Sequence, residues 1–381
     1  MKNWKIGIVK DTSKPMLGLH GLHNAFQGLP GTEIVALVDS NSEELKLKME
    51  CVRAKRHYLN LEAMLEHESP DIVILCSRHP CDHLPQIKLA AKYGCHIYCE
   101  KPLTVELSEF NQIAELVKEY KIKLCMAHPM RYDLGFLTMK RMLEDGEIGK
   151  PLCISGSGKC DHRGGGEDLM VLGTHILDYQ SFVFGEPKYV MAEVKKNGHF
   201  IKPGELEQTV EPIGPAAGDE IFAGFGFANG ARGTFRSCRG LYDPEYGITH
   251  MGVTITGTKG ALSMRFCDGP SPEPRLLISR QPGPHEEYAR FEEVELTETR
   301  HIPGSEAPDY SLYGNLGRIF PWANRFAAWD LMQAIEEDRL PVSNIYNAGT
   351  TLEMIYGIYS SSLRGRRINF PLHDIAHPLK A

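Results

Sequence analysis

The chain has no run of about 18 apolar residues, the length that a membrane-crossing helix requires. It has no block of Lys and Arg of useful length and its net charge is -7, so nothing in its charge distribution points to nucleic acid. The opening stretch MKNWKIGIVKDTSK breaks its apolar run at Lys10 and Asp11, and so lacks the longer apolar segment of a secretory signal. None of the ten cysteines stands in a CxxC pair, and such scattered thiols fit small buried hydrophobes in a reducing, cytoplasmic compartment. Internal repeats and low-complexity tracts are absent too. What remains is an ordinary globular composition, 42% hydrophobic and 24% charged, over 381 residues, enough for two domains.

The first third alternates short apolar runs with segments of helical spacing. The runs are Ile6 to Val9, Ile34 to Val38, Ile72 to Cys76, Ile97 to Cys99 and Ile122 to Ala127. Helices are predicted over Glu43 to Cys51, Leu61 to His67, Leu84 to Tyr93 and Ser108 to Tyr120. Such alternation implies right-handed crossovers and a doubly wound parallel sheet covered on both faces, ending near residue 125.

Such a domain usually carries closely spaced glycines after its first strand, where backbone amides approach a pyrophosphate. This chain has few: KDTSKPMLGLHGLHNAF places Gly18 and Gly21 late in the loop. Thr12 and Ser13 could supply hydroxyls and amides to a phosphate, with Lys14 as countercharge, and a plain surface turn is the competing reading. The second strand ends in Asp39, where a carboxylate can accept both adenosine ribose hydroxyls and repel a 2'-phosphate. That favours NAD over NADP; the alternative is a helix cap. Lys101 follows Ile97, Tyr98, Cys99 and Glu100, and Pro102 stops the strand there. A charge at the carboxyl end of a parallel strand faces the ligand crevice, so Lys101 is a candidate contact of cofactor or substrate.

Beyond residue 126 a helix is predicted over Met130 to Glu147, followed by a strand. The segment RGGGEDLMVLGTHILDYQSFVFGEP then combines three glycines, Gly164 to Gly166, with helical spacing that puts Val171, His175 and Asp178 on or near one face. Tyr189 to Leu296 alternates with period two and is broken at Asn229-Gly230 and Thr258-Lys259-Gly260, which reads as an antiparallel meander. Helices close the chain over Trp322 to Glu337 and Asn347 to Arg364, and residues 200 to 218 and 268 to 320 read as long loops. The histidines are distributed rather than clustered, so no metal site is expected.

These motifs resemble the Gfo/Idh/MocA family, named for glucose-fructose oxidoreductase, inositol dehydrogenase and a rhizopine catabolism protein. The resemblance rests on CEKP at Cys99 to Pro102, AHPMRYD at Ala127 to Asp133, GGGEDLMVLGTHILD at Gly164 to Asp178, GTKG at Gly257 to Gly260 and AIEEDRLPV near the end. It implies an α/β chain with an NAD-binding Rossmann domain over 1 to 125. Over 126 to 381 it implies a substrate-binding α/β domain with a large, mostly antiparallel open sheet, whose outer face makes a dimer or tetramer. By position, Lys101 would contact the reacting hydroxyl and the nicotinamide ribose, with Glu100 beside it, and His175 would be the general acid or base. A histidine titrates near neutral pH, and an ammonium lowers the cost of a developing alkoxide. His128, Arg131, Tyr132, Asp161, His162 and Arg163 are candidates for a polyhydroxylated sugar or cyclitol.

The chain departs from the family pattern in three places. Val171 stands where many members carry an aspartate four residues before the histidine, so Asp168 or Asp178 would have to substitute. The first loop is poor in glycine. A family Asn-x-x-His appears as Pro80-Cys81-Asp82-His83, which keeps only His83, while Arg78 and His79 nearby could reach cofactor or substrate. Three readings therefore stand: an NAD-dependent dehydrogenase or reductase of a sugar, sugar derivative or cyclitol; a redox-neutral glycosidase or lyase that keeps its NAD; and a non-catalytic nucleotide- or sugar-binding protein.

Overall fold

The computed structural model describes residues 2–14, 20–241, 251–265, 274–281, 290–296, 300–306 and 319–380. Gly18 in the first loop, and much of the stretch 268–320 read as a long loop, lie outside the described residues. The chain forms two compact units, Met1–Tyr132 with Arg300–Ala348, and Asp133–Thr299 with Gly349–Ala381.

The first unit holds six parallel strands: β1 (Trp4–Val9), β2 (Thr32–Val38), β3 (Arg56–Tyr58), β4 (Ile72–Leu75), β5 (His96–Cys99) and β6 (Leu124–Met126), in the order β3-β2-β1-β4-β5-β6. Between them run α1 (Leu45–Val52), α2 (Leu61–Glu68), α3 (His83–Lys92) and α4 (Leu107–Glu119). The strands are nearly continuous apolar runs because helices cover both faces of the sheet. The order reverses between β1 and β4, and the carboxyl ends there frame the crevice in which open sheets of this kind bind ligands.

The chain is not divided by a single cut near residue 125. Residues 300–348 return to the first unit, where Ala323, Phe326, Ala327 and Leu331 of the helix Ile319–Glu336 pack with Trp4, Ile6, Ile8 and Phe26. The physical reason is the sheet face itself, which needs that apolar stripe to be covered.

In the second unit, α5 (Leu134–Glu144) begins later than the sequence suggested. Pro129–Arg131 forms a 3-10 turn and Asp133 Oδ1 accepts the amide of Phe136 at 3.1 Å, which fixes the start of the helix. Then come β7 (Pro151–Ser157), α6 (Gly166–Asp168), a π-helical turn (Leu169–Gly173) and α7 (Thr174–Phe184). Strands β8 (Pro187–Lys196), β9 (His199–Phe200), β10 (Glu220–Phe227), β11 (Arg232–Cys238), β12 (Gly252–Gly257), β13 (Ala261–Arg265), β14 (Arg275–Ser279) and β15 (Glu292–Glu293) follow, and β16 (Ile368–Asn369) closes the series.

Their sheet runs β15-β14-β13-β12-β7-β11-β10-β8-β16, with β9 on β8; among the described residues only the pair β7 with β11 is parallel. The turns at Asn229-Gly230 and Thr258-Lys259-Gly260 join β10 to β11 and β12 to β13, as their composition predicts. Gly156 stands mid-strand because a Cβ there would come within 2.2 Å of Ile176 on α7.

Candidate functional site

At the carboxyl ends of β1 and β2, a groove of about 430 Å³ is walled by Leu37, Leu47, Cys51 and Val52 and edged by Lys10, Thr12, Asp39, Asn41, Glu43, Glu44 and Lys48. An apolar slot with a polar rim and this volume suits a flat heterocycle joined to a sugar. Asp39 is fully buried and already engaged. It accepts the amide and hydroxyl of Thr12 at 3.0 and 2.8 Å and the amide of Asn41 at 2.9 Å, and its Oδ2 lies 3.0 Å from Lys48 Nζ. Burial alone would raise its pKa, but these bonds outweigh burial and hold it below the usual carboxylate value. Asp39 does not cap α1, whose N-cap residue is Glu44 with no side-chain bond.

The loop after β1 is tied down in a second place. Lys14 Nζ lies 2.5 Å from Asp82 Oδ1, and Ser77 donates to the other oxygen of Asp82 at 2.6 Å. Ser13 is exposed, and its amide donates to Asp11 at 3.0 Å. His83 is fully buried with Nδ1 2.9 Å from the Leu103 carbonyl and Nε2 2.8 Å from the Ser77 carbonyl. Both ring nitrogens are therefore spent on the backbone. As a cofactor contact His83 is corrected to a clasp between the segments that follow β4 and β5.

Beyond β5, Glu100 Oε1 accepts the amide of Lys101 at 2.9 Å and lies 3.1 Å from His20 Nδ1. Burial would raise the Glu100 pKa, yet the charge and hydrogen bond of His20, then Lys101 and Arg78, lower it to about 2. His20 moves the same way for a different reason: burial lowers it by more than Glu100 raises it. The Glu100 carboxylate is the charged member of the pair near neutral pH. The His20 ring also stacks on Phe320, with centroids 5.4 Å apart. Lys101 itself is 1% exposed, so the charge foreseen at this strand end is buried.

After β6, His128 and Arg131 are buried, and Arg131 Nη1 donates to the Val342 carbonyl at 3.3 Å. Tyr132 is a correction. Its hydroxyl donates to Asp330 Oδ2 at 2.8 Å and accepts the Ser343 amide at 2.9 Å inside the core, so its one proton is committed to the first unit's own packing.

In the second unit, Asp161 and Arg163 form a bidentate pair, at 3.3 Å from Nε and 2.7 Å from Nη2, and Arg163 Nη1 reaches Glu211 at 2.8 Å. Burial would raise Asp161, but the hydrogen bonds and charge of Arg163 lower it to about 2. These two residues hold each other and the loop of Glu211, while His162 between them is exposed.

Asp168 cannot replace the carboxylate missing at Val171. It is fully buried and accepts from Ser237 Oγ at 2.5 Å, the Cys160 amide at 3.1 Å and the Lys159 amide at 3.2 Å. Here burial dominates and raises its pKa. Gly164 and Gly165 serve internal packing as well, since a Cβ would come within 2.3 Å of Arg239 Cα at the first and 2.1 Å of the Gly218 carbonyl at the second. His175 and Asp178 are buried on α7, directly after the π-helical turn. Such turns often occur at functional sites.

Lys48, Asn41, Lys10 and His20 were not foreseen from sequence. For Lys48 a signal existed: the helix places it beside Leu45, Met49 and Val52, a lone cation in an apolar stripe. His20 carried none. Among the described residues, no three His, Cys, Asp or Glu side chains group so as to hold a metal, and no helix is long and apolar enough to cross a membrane.

The model of an oxidoreductase family with an NAD-binding Rossmann fold matches residues 17–128, and that of the GFO/IDH/MocA C-terminal domain matches 136–263. D-apiose dehydrogenase of Paraburkholderia graminis is 30% identical over 173 residues, covering 43% of this chain and 46% of that protein. A 2,7-anhydro-N-acetylneuraminate hydratase of Mediterraneibacter gnavus is 25% identical over 258 residues, 62% of each chain. The chain spans about half the length of the first curated relatives it matches. A levoglucosan dehydrogenase, solved with NADH and levoglucosan, shares the fold at a TM-score of 0.74 and 18% identity, over 97% of this chain and 100% of that one.

Proposed function

The chain belongs to the Gfo/Idh/MocA oxidoreductase family, and on that premise we propose that it binds NAD through the first unit and transfers hydride at a carbinol carbon of a sugar, sugar derivative or cyclitol. The observation that carries the reading is the groove at the ends of β1 and β2, with its apolar slot and its buried Asp39 at the rim. Its residues fit an adenosine: the leucine and valine walls take the base, while Thr12, Asn41 and Lys48 offer polar groups beside the sugar. When bound, the nicotinamide supplies the hydride acceptor or donor. In this reading Lys101 stabilises the developing alkoxide and His175 takes or returns the hydroxyl proton. His128, Arg131 and Asp178 complete the polar set. Arg78 and Glu100 are assigned to the cofactor end, where their charges oppose one another.

One observation favours a second reading. Among the relatives above, the hydratase is matched over 62% of its length, and a redox-neutral lyase or hydratase that keeps its cofactor is compatible with the same residues. Homo-oligomer formation through the open sheet is part of the proposal, supported by Met191 and Phe222, 58% and 56% exposed on one face of β8 and β10. The nine free cysteines among the described residues fit a cytoplasmic protein.

The test begins with the purified protein denatured and its released nucleotide identified by absorbance and mass. Stoichiometric NAD supports the redox-neutral reading. An empty protein that binds NADH and reduces NAD in the presence of a polyol supports the dehydrogenase. A protein that binds neither form overturns both.

A further inference from the structure

A carboxylate at the end of the second strand selects NAD in two ways: it accepts the ribose hydroxyls, and its charge repels a 2'-phosphate. Neither is open to Asp39 as it stands. Its two oxygens offer about four acceptor positions. The amide and hydroxyl of Thr12, the amide of Asn41 and the ammonium of Lys48 provide four donors, all within 3.0 Å. The same ammonium, 3.0 Å away, offsets the charge.

Lys48 belongs to the rim of the groove and not to the interior. Its side chain is 20% exposed, and besides Asp39 it reaches Thr12 Oγ1 at 2.6 Å and the Asn41 carbonyl at 2.8 Å. A lysine is a compact charge on a flexible stem, so the ammonium can turn from the neutral Asn41 carbonyl toward an anion in the groove. A second cation lines the same groove. Lys10 Nζ lies 3.4 Å from His23 Nε2, and burial lowers His23 to about 3, so the ring brings no charge of its own. The opposing carboxylates, Glu43 and Glu44, are exposed on the solvent side, where water and salt screen them.

We propose that Lys48 sets the dinucleotide selectivity of this groove, and that the chain takes a 2'-phosphorylated nicotinamide dinucleotide alongside the unphosphorylated one. The proposal rests on the dinucleotide-binding reading given above. Lys48 acts by withdrawing Asp39 from ribose recognition and by presenting a positive charge where the 2'-substituent lies.

Direct binding tests it without turnover. NADH and NADPH are titrated separately into the full chain by calorimetry, for the wild type, Lys48→Met and Lys48→Arg. Wild-type dissociation constants within tenfold of each other are expected. Lys48→Met should weaken NADPH at least tenfold and leave NADH unchanged or bound more tightly, while Lys48→Arg keeps NADPH within threefold of wild type. Wild-type binding of NADH with NADPH more than tenfold weaker overturns this proposal and leaves the dinucleotide reading intact. So does a Lys48→Met variant that weakens both nucleotides equally. A wild type that binds neither overturns the dinucleotide reading itself. The wild-type ratio decides the matter even where Lys48→Met does not fold.

Discussion

Glu100 Oε1 lies 3.1 Å from His20 Nδ1 while accepting the Lys101 amide at 2.9 Å, so one carboxylate oxygen ties the loop after β1 to the segment that carries the candidate catalytic lysine. A buried carboxylate with such partners makes stability depend on pH.

The Glu100 pKa falls from 4.5 to about 2 on folding. Stability from this group is therefore complete above pH 4.5 and is lost as pH falls toward 2. Glu100→Gln should destabilise the fold near neutral pH and progressively less below pH 4.5. Urea unfolding at pH 7, 4 and 3 measures this, and a deficit constant across pH would show that ionisation of Glu100 is not what the fold uses.

Tyr132→Phe separates a core residue from a sugar contact. Removing the hydroxyl leaves the Ser343 amide without its acceptor and takes one donor from Asp330, which keeps the Val342 amide and Arg339, at about 1–3 kcal/mol. The melting temperature should drop while the KM for any sugar substrate changes less than twofold. A raised KM with unchanged melting would return Tyr132 to the substrate site.

Asp168→Asn addresses the missing carboxylate. A proton relay predicts lost turnover and an intact fold. The bonds from Ser237, Lys159 and Cys160 predict the reverse, a lower melting temperature with turnover per folded molecule within threefold of wild type. Because burial raises the Asp168 pKa, its contribution to stability is greatest below 3.8 and declines as pH rises through its folded value. Asn should remove that decline, which thermal melts at pH 4 and 7 would register.

Lys101→Met and His175→Asn should each lower turnover by about 10² to 10⁴ with NADH affinity kept within fivefold. Activity measured beside calorimetry distinguishes this from general disruption. Full activity in both variants would remove the proposed hydride-transfer chemistry from these residues.

The parallel sheet was legible because β1, β2, β4, β5 and β6 are apolar runs punctuated by helices of regular spacing. β3 was not, since Arg56–Tyr58 is a polar edge strand of three residues without periodicity. The positions of Lys101 and His175 could be read from local signals, a strand end and a helical face. What engages Asp39, Arg163, Asp168 and Tyr132 could not. Their partners Lys48, Glu211, Ser237 and Asp330 are 9, 48, 69 and 198 residues away, and only folding brings them within bonding distance. Asp161 and Arg163 looked available for a sugar for the same reason, because Glu211 stands on a loop that no pattern connects to them.

The return of residues 300–348 to the first unit has a consequence for biosynthesis. The ribosome releases β1 to β6 long before Phe326 and Leu331, so the sheet emerges with Trp4, Ile8 and Phe26 uncovered for most of translation. The half that begins the protein is thus finished late, and a chain halted before residue 319 would leave the ribosome with an adhesive apolar face instead of a completed nucleotide-binding unit.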